Sequence, residues 1–164
     1  MKLHTCMVIV GLWCGALLLS GADVPADNPY APAYAAMARL SEADRKALAE
    51  RKPLSAEAAP VVGDVRRALS AGGQAKSVDW GINYEAGSEM SFPFITGIRN
   101  FPRLVFLAAG KPAAGEVVDL SLDVFALARH AGRENMLITW MVERVLEQQA
   151  TAWVEKKLFG VVAG

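Results

Sequence analysis

The stretch EVVDLSLDVFALARHAG, residues 116–132, constrains the fold more than any other part of the chain. Its apolar residues return at helical spacing: Val117, Leu120, Val124 and Leu127 make one stripe, and Val118, Leu122 and Phe125 a second beside it. The only sizeable polar strip runs through Asp119, Asp123 and His130 and reads as a solvent edge. A helix that is apolar over most of its circumference must be covered on two sides, which predicts a middle helix in a stack. No segment sustains the period-two alternation of a half-buried strand. The expected fold class is therefore all-α, with antiparallel helical hairpins stacked as a short solenoid or bundle.

The rest of the chain divides at its glycines and prolines. LSEADRKALAERK offers Ser41 as an N-cap with Asp44 three residues on, basic residues toward its far end, and Pro53 as a stop. In SAEAAPVVGDVRRALSAGG, Val61, Val62, Val65, Ala68 and Leu69 share a helical stripe, Pro60 suits the first turn, and Gly72-Gly73 predicts a left-handed cap. Residues 74–88 are punctuated too often for a helix and read as an ordered loop. MSFPFITGIRNFPRLVFLAAG is a helix that Pro102 should kink or split near Asn100. ENMLITWMVERVLEQQATAWVEKK predicts a last helix of about 24 residues, with Ile138, Val142, Val145, Leu146 and Trp153 toward the core.

The beginning of the chain speaks to compartment. Lys2 precedes an uncharged run from Cys6 to Leu19, shorter than the roughly 20 residues a membrane-spanning helix needs, followed by the small residues Ser20-Gly21-Ala22. This predicts an export leader over residues 1–22, a tether over 23–37 rich in Pro, Ala and Asp, and a helical domain over 38–164. The expected location is periplasmic or extracellular, with membrane contact only if the leader stays uncleaved. Cys6 and Cys14 both fall in the leader, so no disulfide is expected in the mature chain. Without the leader, 16 basic residues face 17 acidic ones, and this balance gives no case for nucleic acid as a partner.

RLVFLAAGKPAAGEVVDLSLDVFALARHAG resembles a tetratricopeptide-type helical hairpin, with small residues before a glycine turn and alanines at packing positions. The order VDWG, acidic loop, Pro-containing apolar helix, this hairpin and then NMLITWMVE is similar to a group of exported bacterial proteins built from such helices. The similarity covers roughly residues 38–157 and implies a fold and a compartment, without catalytic residues. The chain departs from the pattern at Pro102 and in lacking a second copy of the 34-residue period. In KKLFGVVAG, Leu158, Phe159, Val161 and Val162 follow the last helix, where a solenoid normally carries a polar cap. That tail folds back, pairs with a second copy, or marks a shortened member of the group.

Chemistry is sparse. Asp123 and His130 lie about 10 Å apart along one helix, too far to share a metal ion unaided, and Ser121 and His130 fall on opposite faces of it. No cofactor is expected. The candidate site is VDWGINYEAGSEMSFPF, where Trp80, Tyr84, Glu85 and Glu89 are the candidate binding residues. Asp79, Glu85 and Glu89 around two aromatic rings also permit a carboxylate-dependent hydrolase. The simplest reading is structural, with Trp80 buried, Gly81 turning the chain and Asp79 or Ser88 capping the next helix. The expected function is a helical binding or scaffolding module, not an enzyme. Its partner is another envelope protein or a second copy held through the apolar tail.

Overall fold

The computed structural model describes residues 24–89, 92, 94–134 and 136–160, the side chains of 88, 89 and 96 excepted. The expected leader with its cysteines, and Val161 and Val162 of the tail, lie outside the described residues. Helix α1 spans Ala31–Ala38, α2 Glu42–Ala49, α3 Ala59–Gly73, α4 Phe94–Ile98, α5 Asn100–Ala108, α6 Ala114–Gly132 and α7 Leu137–Val154. Short 3-10 turns occupy Ala56–Ala58 and Tyr84–Glu89, and a π-helical turn, Glu155–Phe159, extends α7. The described residues form no strand, and the fold is all-α.

Most helix ends follow from local chemistry. The Ser41 hydroxyl accepts from the Asp44 N–H at 3.0 Å and donates to the Asp44 carboxylate, which caps α2. The same carboxylate accepts from the Ser55 N–H at 2.8 Å, tying the start of α2 to the chain beyond its end. These bonds, that from Ser41 first, hold the Asp44 carboxyl below its usual range. Helix α2 ends in a Schellman pattern: the Lys52 N–H bonds the Ala47 carbonyl at 2.8 Å, the Arg51 N–H bonds that of Leu48, and Arg51 has φ +56°. Pro60 stands in the first turn of α3, and Pro102 in that of α5, where a missing N–H leaves no bond unmade. The break between α4 and α5 at Arg99 is the split expected near Asn100.

Residues 24–37 are not a tether. Tyr30, Ala33, Tyr34 and Ala36 are buried in the core, and α1 packs along α3. Two glycines admit the tyrosines. A Cβ on Gly72 would overlap the Tyr30 ring, and one on Gly97 the Tyr34 ring. Gly72 therefore does not form the expected left-handed cap: α3 runs through Gly73 and closes at Gln74 in right-handed geometry. Its small size, not its φ freedom, is what the fold uses. The Tyr34 hydroxyl donates to the Phe94 carbonyl at 2.8 Å while its ring meets Phe101 edge-on at 4.8 Å.

The most extensive packing joins α6 to α7, connected by a short turn and antiparallel, with α3 on the other side of α6. The expected α5–α6 hairpin is replaced: α5 makes its principal contacts with α3, α4 and α7. On α6 the stripe Val117, Leu120, Val124 and Leu127 is buried as expected. The second stripe is not, since Val118 and Leu122 are exposed, so α6 is covered over less of its girth than its apolar content suggested. His130, expected at a solvent edge, is buried. On α7, Val142, Leu146 and Trp153 are buried, Val145 is partly covered, and Ile138 is exposed alongside Leu137, Trp140 and Met141. The α-helix stops at Val154, short of the expected length, and Leu158 and Phe159 beyond it are exposed. No helix among the described residues is long and apolar enough to cross a membrane.

Candidate functional site

The four candidate residues of the 80–89 stretch separate in space by burial. Trp80 is 1% exposed and lies between two rings, stacked on Phe94 at 4.7 Å and on Tyr30 at 5.6 Å. Its indole N–H donates to the His130 carbonyl at 3.0 Å, so the polar tip of a buried ring is satisfied. The Tyr30 hydroxyl is 3.0 Å from His130 Nδ1. Burial, with Arg133 second, lowers the His130 pKa and so disfavours the imidazolium. Burial likewise raises the Tyr30 phenol well above its ordinary value and keeps it protonated. Asn28 completes the node by donating to the Asp79 carbonyl and accepting from the Tyr30 N–H.

Outside this node the stretch is exposed. Tyr84, 52% exposed, donates its hydroxyl to Glu134, and that bond first, then burial, pushes its pKa up to about 12. The Asp79 carboxylate accepts from the Gly81 N–H at 2.7 Å, closing a turn at a glycine with φ +68°. Glu85 is exposed, and its N–H is taken by the Asn83 side chain at 3.0 Å. The Glu89 backbone ends the 3-10 turn, and its side chain lies outside the described residues, as does that of Ser88. The structure thus draws Trp80 into the core and leaves Tyr84 and Glu85 on the surface. No group of three or more His, Cys, Asp or Glu placed to hold a metal ion occurs among the described residues.

A different place carries uncompensated charge. A groove of about 530 Å³ lies between α2, α5 and α7, within the usual size of small-molecule sites. Arg51, Arg103 and Lys156 reach it from three separate elements, and no carboxylate lines it. None of these cations makes an ion pair among the described residues. Burial lowers the Arg103 pKa, and the charges of Arg51 and Arg99 lower it further. Apolar surface comes from Leu48, Leu107, Val145 and the pair Phe106 and Trp153, stacked at 4.3 Å. In the wall, Gln149 Oε1 and Trp153 Nε1 are buried without partners; they are an acceptor and a donor one helical turn apart.

A second groove, of about 480 Å³ between α1 and α3, supplies the contrast. It also has cations, Arg39 and Arg67, but both pair with Asp64, whose carboxyl they hold below its usual range. Both cations there have a carboxylate partner, whereas those between α2, α5 and α7 have none among the described residues. The sequence reading missed this groove because its cations are spread over residues 51–156. Arg51 was one of the basic residues at the far end of α2, and Trp153, expected in the core, is buried. The one local signal was an Arg at the position after a helix end where glycine is the usual choice.

Comparison with protein-family models, with curated proteins and with solved structures finds no match to this chain.

Proposed function

We propose that this protein is an exported, non-catalytic helical binding module that holds an anionic ligand in the groove between α2, α5 and α7. The observation that carries the reading is the set Arg51, Arg103 and Lys156, without ion pairs or a lining carboxylate among the described residues, around an apolar floor. Arg103 is half-buried beside the like charge of Arg51, which raises the free energy of the empty protein, and a bound anion lowers it. Export rests on the leader-like first 22 residues, and antiparallel packing of helices on the α6–α7 pair. A hydrolase at residues 79–89 has less behind it, because Asp79 is spent on turning the chain and Tyr84 is bonded to Glu134. Exposed Leu158 and Phe159 support a contact with a second copy or another envelope protein.

Thermal-shift measurements with a panel of carboxylates, phosphates and sulfonates, on wild type and Lys156→Glu, test the binding reading. A saturable rise in Tm with at least one anion, reduced in the variant, supports it. No shift with any anion, or equal shifts in both proteins, overturns it.

A further inference from the structure

Resting on the anion-binding reading, we infer that the ligand of this groove is an amphipathic acid: one carboxylate or phosphate head on an apolar body. Each half of that description answers to named residues. Arg51, Arg103 and Lys156 converge from the end of α2, the middle of α5 and the π-turn after α7, and together they demand negative charge. Arg103 is only partly exposed, so its partner must enter the groove to meet it. An anion there offsets a charge that burial and the neighbouring Arg51 and Arg99 already disfavour.

The floor excludes a bare inorganic anion as the best occupant. Phe106, Leu107 and Val145, partly exposed over buried Leu48 and Trp153, give the groove a surface that a hydrated phosphate would leave in water. An apolar body laid on it removes that surface from solvent, at about fourfold in affinity for each methylene fully buried. The cations exclude a purely apolar occupant for the opposite reason, since a hydrocarbon would strip water from them and return nothing. A chain-like nucleic acid is a poor fit, because its charges are many and regularly spaced whereas only three cations line this groove. The backbone at Arg51, left-handed because α2 stops there, is compatible with this use of its side chain. A non-glycine residue held at φ +56° keeps strain that glycine would relieve, and such strain clusters where a side chain is used.

Isothermal titration of the full-length protein with octanoate, octyl phosphate, acetate, inorganic phosphate and octanol tests the inference. Octanoate or octyl phosphate is expected to bind at one site, at least about 100-fold more tightly than acetate or inorganic phosphate. Octanol is expected to bind at least about 10-fold more weakly than either acid. Either order of the two acids supports the proposal and selects the head group. Lys156→Gln and Arg51→Gly should each weaken the acid by roughly 10-fold, leaving octanol unchanged. Both are exposed, so folding, checked by circular dichroism, does not confound the result. Acetate or phosphate binding as tightly as its alkyl counterpart would overturn the amphipathic acid and leave the anion site standing. Octanol equal to octanoate would remove the charged head, and silence with every anion would remove the anion site itself.

Discussion

Arg51 stands at the one residue after α2 where a left-handed backbone is required and glycine is the low-cost choice. Arg51→Gly should therefore leave stability unchanged or raise it by up to ~1 kcal/mol in urea titration, the relieved strain being partly offset by the greater freedom of the unfolded chain. A loss of more than that would show the Arg side chain to be a structural prop. Trp80 and Tyr84 supply a sharper contrast, because they are four residues apart and both are candidate binding residues, with burial expected of Trp80 alone. Trp80→Ala empties a site between two stacked rings and leaves the His130 carbonyl without its donor, at about 3–5 kcal/mol. Tyr84→Ala removes an exposed ring with a surface bond, at about 0.5 kcal/mol or less. Equal losses in chemical denaturation would contradict this division of the loop.

Among the elements, α1 departs furthest from the reading of the sequence. Its residues APAYAAMA follow a Pro-rich run, and their apolar face shows no stripe because alanines lie on every side. What fixes the helix is remote: the space that Gly72 and Gly97 leave for Tyr30 and Tyr34, which no local pattern encodes. Removing residues 24–40 should therefore abolish the cooperative thermal transition, as loss of a core layer does, whereas trimming a tether would leave it intact. Helix α2 was legible to its cap because Ser41 and Asp44 act over three residues. The α6 stripe was legible for the same reason, periodicity being local. Exposed Val118, Leu122 and Ile138 were misread, since apolar residues are common on protein surfaces and helical spacing cannot say how many faces are covered. The cationic groove was invisible because proximity of residues 51, 103 and 156 is a product of tertiary packing alone.

For the whole molecule, the pH dependence of stability turns on the junction of α1, α6 and the 75–80 segment. His130 has a folded-state pKa below its ordinary value, with burial as the main cause. The unfolded chain then binds the proton more readily, so this contribution is complete above about pH 6.5 and is lost as pH falls toward the depressed folded value. Stability should decline between pH 7 and 5, at no more than roughly 1.4 kcal/mol per pH unit for one proton. Asp44 and Asp64, whose carboxyls are held below their usual range, lose their contributions only at lower pH. Asp123 has the opposite sign: burial, then Asp119, raises its carboxyl, so its contribution is present below the ordinary carboxylate range and fades as pH climbs through the raised value. Urea midpoints across this range, in wild type and His130→Gln, check the account; a slope that survives in the variant would assign it elsewhere.

The pairing of Tyr30 with His130 spans 100 positions of the chain. A polypeptide emerging from its N-terminus therefore displays both tyrosine hooks long before their sockets exist. The closing contact waits until nearly four-fifths of the chain has been synthesised. Until then the core layer that Tyr30 closes against α6 is incomplete.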